Sequence, residues 1–301
     1  MATTLEDLSR ALAAAVESGG RSVVRVEGRR RLPASGIAWS DDGVIVTAHH
    51  TLERDEGIVV GLADGTEAAA SLVGRDPSTD LAVLRVQGQR LEAATWAEEP
   101  SARVGHIVLA LGRPGATVLA TQGIISALGE AWRTPSGGSV DRFFQTDVVM
   151  YPGFSGGPLV DASGQTLGLN TSALARGISL TIPSATLRRV TEALLRHGRI
   201  QRGYLGVGAQ PVRLPEDVAA KAGQASGLML ASVEPDSPAG KGGLLLGDVL
   251  ISLDGEPLRG MEDLLNALGS DRVGKTVEIG LLRGGQMSNV KVRLEERGKG
   301  G

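Results

Sequence analysis

The run Tyr151-Pro152-Gly153-Phe154-Ser155-Gly156-Gly157-Pro158-Leu159-Val160 sets one serine among three glycines, ahead of an apolar pair and Asp161. Glycine at this density lets the backbone adopt conformations closed to other residues. Consecutive N–H groups can then converge beside a hydroxyl, the geometry of an oxyanion hole next to a nucleophile. The same ten residues also suit a glycine-rich hairpin whose serine makes only a local turn hydrogen bond.

A serine nucleophile needs a base, and the base an orienting acid. The chain has four histidines, His49, His50, His106 and His197. His50 ends the apolar run from Val44, where a strand turns into a polar corner, and His49 competes with it. Asp80 opens the apolar run Leu81 to Val86, a place where a carboxylate can be buried and paired. Its rival Asp76 precedes Pro77 and reads as a turn former. A lone aspartate ahead of a strand more often serves structure alone.

Working outward, short β-type runs fill the chain between residues 22 and 182. Ser22 to Glu27, Ser35 to Trp39, Val44 to Thr47, Ile58 to Leu62 and Ala82 to Val86 form one group. His106 to Leu111, Thr117 to Ser126, Phe143 to Asp147, Leu159 to Val160, Leu167 to Thr171 and Ile178 to Ile182 form another. Turn signals such as Asp42-Gly43 and Asp64-Gly65 separate them. Two groups of about six strands predict a mainly β chain with two antiparallel six-stranded barrels. A helix capped by Ser184 follows, with Leu187, Val190, Leu194 and Leu195 as its apolar stripe. At the N-terminus, Leu5, Leu8, Leu12 and Val16 predict an amphipathic helix that Gly19-Gly20 stops. The domains expected are an N-terminal helix over 1–20, a two-barrel domain over 21–197, a linker over 198–203, a second module over 204–296 and a flexible tail over 297–301.

Composition narrows the function. The chain has 301 residues, 42% hydrophobic and 22% charged, so a sizeable core is available. Aromatics are only 3%, so Val, Leu, Ile and Ala must build that core. A net charge of −3 offers no electrostatic reason to expect nucleic acid. With no cysteine there is no disulfide, thiolate nucleophile or cysteine metal site. No histidine spacing suits zinc, and neither a metal nor a cofactor is expected. No apolar run approaches the ~18 residues of a membrane span. The first twenty residues lack the basic start and long apolar run of a secretory signal. That predicts a cytoplasmic protein, or an extracytoplasmic one if a leader has been removed.

Two motif matches fail on context. Gly269-Ser270-Asp271-Arg272-Val273-Gly274-Lys275-Thr276 fits the P-loop expression, but a helical stretch precedes it and a strand follows, the reverse of what a phosphate loop needs. Gly153-Phe154-Ser155-Gly156-Gly157 fits the α/β-hydrolase elbow of an esterase, whose acid and histidine must follow the serine. The one later histidine, His197, sits near a helix C-terminus, where its charge suits the dipole.

The order His–Asp–Ser is that of the chymotrypsin-like proteases. Thr47-Ala48-His49-His50, Asp76 through Leu84 and Gln145-Thr146-Asp147 through Gly153-Phe154-Ser155-Gly156-Gly157-Pro158-Leu159 resemble the HtrA/Deg family of serine proteases. The likeness implies a chymotrypsin-like pair of barrels. In it His50 would be the general base, Asp80 its orienting carboxylate and Ser155 the nucleophile. The backbone of Gly153, Phe154 and Ser155 would form the oxyanion hole, through the N–H groups of Gly153 and Ser155. Met150, Tyr151 and Pro152, with Asn170, Thr171, Ser172, Ser179, Leu180 and Thr181, would wall the substrate pocket. Those segments carry no acid, which argues against a pocket selecting Lys or Arg, and the resemblance implies small aliphatic side chains at the scissile position.

The module after the linker carries Tyr204-Leu205-Gly206-Val207, Gly227 through Leu230 and Gly247 through Gly255. It resembles a PDZ domain, which implies capture of peptide C-termini by the loop Tyr204, Leu205, Gly206 and Val207, with the helix around Asp263 to Leu268 across the groove. The whole resemblance implies an ATP-independent endopeptidase acting on unfolded proteins. Phe154 stands where the family has asparagine, and a tilted Gly153 amide would make the chain a weakly active peptide binder or chaperone instead. Members of the family commonly assemble as trimers through the protease domain, often with aromatic contacts near the N-terminus. The resemblance therefore implies a homotrimer, though this chain has no aromatic residue before Trp39.

Overall fold

The computed structural model describes residues 4–97, 102–134, 139–174, 179–201, 203–269 and 272–296. The tail expected over 297–301, together with Ile178, Ser270 and Asp271, lies outside the described residues. The chain divides into two compact units, Met1–Ile200 and Gln201–Gly301.

The first unit opens with helix α1, Leu5–Gly20, capped by Thr4 in a capping box with Asp7. The helix ends at Gly20, where the glycine pair is expected to stop it, and both glycines are themselves helical and buried. The reason is contact, not conformation. A Cβ on Gly19 would stand 3.1 Å from Val160 and 3.2 Å from Leu111, and one on Gly20 3.2 Å from Val118. Lacking side chains there, the helix end lies directly on the sheet beneath it.

Six strands close the first barrel: β1 Val23–Glu27, β2 Ala34–Ala38, β3 Val44–Ala48, β4 Ile58–Gly61, β5 Glu67–Asp76 and β6 Leu81–Val86, in the order β1-β2-β3-β6-β5-β4. Strand β5 is new. Its sequence EAAASLVGRD is rich in alanine, a poor strand former, and its first half is largely exposed.

The second barrel is built from β7 Ile107–Gly112 and β8 Leu119–Gly129, then β11 Phe143–Thr146, β12 Pro158–Asp161, β13 Thr166–Thr171 and β14 Ser179–Pro183. It closes in the order β11-β14-β13-β12-β7-β8. A small hairpin, β9 Trp132–Arg133 with β10 Ser139–Val140, lies outside it. Both barrels are antiparallel and six-stranded, the architecture expected from the sequence.

Helix α2, Ser184–His197, follows β14. Pro183, and not Ser184, occupies its N-cap, and Gly198 ends it in the left-handed region at φ 70°. Its Leu187, Val190 and Leu194 join one buried cluster with Ile37, Val46 and Leu81 of the first barrel and Leu169 and Ile182 of the second. That shared core fixes the two barrels on one another, so side chains from both can meet at their junction.

The second unit begins with β15 Gly203–Tyr204, which pairs with the final β22 Glu295–Glu296. Between them run β16 Val207–Arg213, α3 Glu216–Ala222, β17 Ser226–Val233, α4 Pro238–Lys241, β18 Val249–Leu253, β19 Glu256–Pro257, α5 Met261–Ala267, β20 Thr276–Arg283 and β21 Gln286–Arg293. The sheet order β16-β17-β18-β20-β21 leaves β16 at an edge. Leu205, Leu228, Leu250, Leu264, Ile279 and Val292 are among its core residues.

Candidate active site

Strand β3 is buried along its whole length and ends in a single tight turn, His49–Thr51. Its ladder with β6 pairs Ala48 with Leu81, which sets the residue before β6, Asp80, beside the histidines. Asp80 is 2% exposed and holds φ 57°, a left-handed conformation that aspartate tolerates better than most at a cost of about 1–2 kcal/mol. Asp76 builds the turn that delivers it, accepting from Ser78 N at 3.1 Å and Thr79 Oγ1 at 2.7 Å.

Asp80 and His50 are bonded twice. The His50 N–H donates to Asp80 Oδ1 at 2.8 Å, and His50 Nδ1 lies 2.7 Å from Oδ2. From the opposite barrel the Thr171 hydroxyl donates to the same Oδ2. A carboxylate can only accept, so Nδ1 carries a proton, and in the neutral tautomer of this half-buried ring Nε2 is the acceptor. His49 reaches the Asp80 backbone alone, its N–H donating to the Asp80 carbonyl at 3.0 Å. Its Nδ1 is buried without a partner among the described residues. Burial first, and then the Arg75 charge, hold His49 below the usual histidine range.

The serine loop is a chain of turns. Phe154 N–H donates to the Tyr151 carbonyl at 3.0 Å, and Gly153 takes φ +93°. With Pro152 second and glycine third, that is a type II turn, which only a residue free to take positive φ completes well. Gly157 N–H donates to Phe154 O, and Gly156 N–H to Asn170 O, each at 2.9 Å. Gly156, at φ +88°, fits against β3, where a Cβ would meet Ala48 N at 3.1 Å. That contact sets Ser155 beside the turn bearing His50.

Among the described residues, the N–H groups of Gly153 and Ser155 have no acceptor within the protein. Phe154, grouped with them from the sequence, is corrected, since its N–H is spent in the turn. What Phe154 adds is its ring, 0% exposed in the second barrel's core with Val108, Ile125, Phe144 and Leu159. Tyr151 meets it edge-on at 5.8 Å between ring centres. The Ser155 hydroxyl pairs with the Ser172 hydroxyl at 3.2 Å. Among the described residues no hydrogen bond joins Ser155 to His50.

The pocket residues divide between two faces. Asn170 pairs with Thr181 across β13 and β14, and Thr171 with Leu180, so successive pairs point opposite ways. Thr181 Oγ1 donates to Asn170 Oδ1 at 2.8 Å, while Thr171 turns to Asp80. Ser172, beside Ser155, continues the Asn170 face, as does Ser179, whose hydroxyl donates to Val148 O at 3.2 Å. Met150 packs on the second barrel's core, and Tyr151 is half exposed.

In the second unit, Tyr204 pairs with Glu295 and its phenol donates to Glu234. Leu205 is buried, with its carbonyl accepting from Ala239 N at 2.9 Å. Gly206 takes φ +78°, where a Cβ would collide with Ser237 at 2.1 Å. Among the described residues, the N–H groups of Leu205 and Gly206 have no acceptor. They stand at the start of Val207 and the open edge strand β16.

Comparison with known proteins matches residues 34–169 to the family described as trypsin-like peptidase domain, and residues 203–294 to that described as PDZ domain. A probable periplasmic serine endoprotease, DegP-like, of Bartonella henselae is 38% identical over 87% of this chain and 52% of its own length. One from Rhizobium meliloti is 37% identical over 90% of this chain and 55% of its own. The chain thus spans about half the length of these curated relatives. Among solved structures, a serine endoprotease from Yersinia pestis matches at TM-score 0.76 and 32% identity, covering 95% of this chain and 98% of that one. The HtrA-type protease AlgW with decapeptide matches at TM-score 0.76 and 31% identity, covering 96% and 99%. The relatives' names place them in the periplasm, and they overturn the cytoplasmic expectation. The residues at the start of this sequence do not bear on the compartment.

Proposed function

Because the chain belongs to the HtrA-type serine endoproteases, with a trypsin-like peptidase domain and a PDZ domain, we propose that it hydrolyses peptide bonds through His50, Asp80 and Ser155. The observation that carries this reading is the pair of uncommitted N–H groups, Gly153 and Ser155, flanking the serine.

In the first step the Ser155 hydroxyl exchanges Ser172 for His50 Nε2, gives up its proton and attacks the scissile carbonyl. Catalytic hydrogen bonds commonly tighten only once substrate is bound. Asp80, held by Thr171, keeps the Nδ1 proton in place and balances the imidazolium. The carbonyl oxygen becomes an oxyanion between Gly153 N–H and Ser155 N–H, and each such donor is worth roughly 10²–10³ in turnover. His50 then passes its proton to the leaving amine, and water repeats the sequence on the acyl-enzyme. Hydrolysis by this route consumes water and no ATP.

The segments Met150–Pro152 and Ser172, with Ser179, leave a pocket without an acid to hold Lys or Arg. The small aliphatic side chains of unfolded proteins, as the family resemblance implies, would occupy it. The weakly active alternative gains nothing from the structure, where the Phe154 ring is buried and Gly153 keeps its positive φ. In the second unit a peptide would add to β16 as a further strand, its terminal carboxylate received by Leu205 and Gly206 N–H with α5 across the groove. Solved structures of AlgW that contain a tripeptide or a decapeptide support peptide binding within this family. The protein would act outside the cytoplasm, as its relatives are named. Assembly as a homotrimer is a separate proposal, tested by sedimentation equilibrium.

Fluorophosphonate labelling and casein cleavage test the chemistry. Both should be present in the wild type and absent in Ser155→Ala. Cleavage that survives the substitution removes the proposal. Amidating a bound peptide's C-terminus should abolish its binding to the second unit.

A further inference from the structure

We infer that Ser35, on β2, is a positioning residue for the oxyanion hole, an inference resting on the hydrolytic reading above. Ser35 is fully buried, and it bonds the two residues that flank the reacting centre. Its hydroxyl donates to the Gly153 carbonyl at 2.7 Å, and its N–H donates to the Ser155 carbonyl at 3.2 Å. The same hydroxyl accepts from the Arg113 N–H at 2.8 Å, and the Ser35 carbonyl accepts from Thr47 Oγ1 at 2.7 Å. A hydroxyl that accepts and donates at once is polarised in both bonds.

The peptide unit is a rigid plane, so a held carbonyl also holds the next N–H. The plane of Gly153 C=O and Phe154 N–H is pinned by Ser35 at one end and by the Tyr151 carbonyl at the other. The plane of Ser155 C=O and Gly156 N–H is pinned by Ser35 and by Asn170. Between these two planes lies the one carrying the Ser155 N–H. Before them lies the one carrying the Gly153 N–H, confined by the ring of Pro152 and by the anchored Gly153. Glycine by itself would let that plane rotate. Ser35 thus takes up two carbonyls of the loop, those of Gly153 and Ser155, and leaves uncommitted the two N–H groups that the hydrolytic reading assigns to the oxyanion.

The test is kinetics on the full chain, with a peptide boronate as tetrahedral probe and the matching unreactive peptide as ground-state probe. Ser35→Ala should lower kcat by about 10- to 100-fold, since a misplacement near 1 Å costs on the order of 10² in rate. KM and the unreactive peptide's affinity should stay within about twofold, while boronate affinity falls with kcat. Ser35→Thr, which keeps the hydroxyl, should restore most of the loss. If Ser35→Ala does not fold, Ser35→Cys keeps the volume with a weak donor, and its kcat should fall without a matching loss of folded protein. Wild-type kcat in Ser35→Ala, or equal weakening of both probes, overturns the inference. Activity that persists in Ser155→Ala overturns the hydrolytic reading instead, so the two failures are distinct.

Discussion

Gly112 on β7 and Phe154 in the serine loop are sterically matched: a Cβ on Gly112 would stand 2.7 Å from Cδ1 of the Phe154 ring and 3.1 Å from its Cα. The Phe154 ring therefore lies where strand β7 has no side chain. Phe154→Ala should cost about 3–5 kcal/mol, as for other buried aromatics. Gly112→Ala should push the ring out and lower stability and turnover together. In a double-mutant cycle by urea denaturation, the two changes should couple by about 0.5–3 kcal/mol. Additive effects would mean that the contact is not the one that matters.

His50 and His49 separate by partner. His50→Ala should lower turnover by about 10⁴ or more, whereas His49→Ala should leave most of it. His49 also carries a stability signature. Its folded pKa lies below the ordinary histidine value of 6.5, so the unfolded chain takes up its proton first as pH falls. The stability tied to neutral His49 is whole above about pH 6.5 and is lost as pH falls from there through the folded value. Melting temperature against pH should decline less steeply over that window in His49→Gln.

The barrels were legible because their strands are short, apolar and separated by Asp-Gly turns. Strand β5 was not, because three alanines and a largely exposed first half hide its pairing with β4 and β6. Gly19-Gly20 marked the helix end, but their close contact with Val160, Leu111 and Val118 was hidden, since those neighbours lie far along the chain. In the site, Ser155 stood out through its glycines and Asp80 through the apolar run after it. Thr171 was read as pocket wall because its tie to Asp80 joins residues 91 apart in the chain. Ser35 gave no sign at all, since its bond to Gly153 spans 118 residues and needs the closed barrels to exist.

In the second unit, Asp248 should set the acid limit. Burial raises its pKa, but the Arg283 hydrogen bonds at 2.8 and 2.7 Å and Leu245 N–H at 2.8 Å outweigh it and hold the carboxyl below its ordinary value. A depressed acid contributes stability that is present above the unfolded pKa, near 3.8, and is lost as pH falls through the folded value. Hydrogen exchange at Leu228 and Leu250 should therefore accelerate as pH drops below that range. Arg283→Gln leaves burial as the dominant influence, so the acceleration should begin at higher pH. An unmoved onset would mean that the pair does not govern this unit.

Arg113 poses a question of shape against charge. Its buried guanidinium donates to the carbonyls of Val23 at 2.7 Å, Ala116 at 2.8 Å and Gly20 at 3.2 Å, and burial lowers its pKa. These three carbonyls belong to β1, to the loop after β7 and to the end of α1, so one planar group fastens three segments. Among the described residues no carboxylate faces it. The three carbonyl dipoles offset part of the cost of burying the charge, and burial still lowers the pKa. A lysine keeps the charge, but its single nitrogen does not reproduce the fork. If geometry is what counts, Arg113→Lys should cost nearly as much as Arg113→Met, about 3 kcal/mol for three buried carbonyls left short of donors. The cost should appear first at α1, as faster amide exchange and easier proteolysis of residues 5–20 before the barrels open. Full protection of α1 in Arg113→Lys would show that charge suffices, and that the three-way fork is incidental.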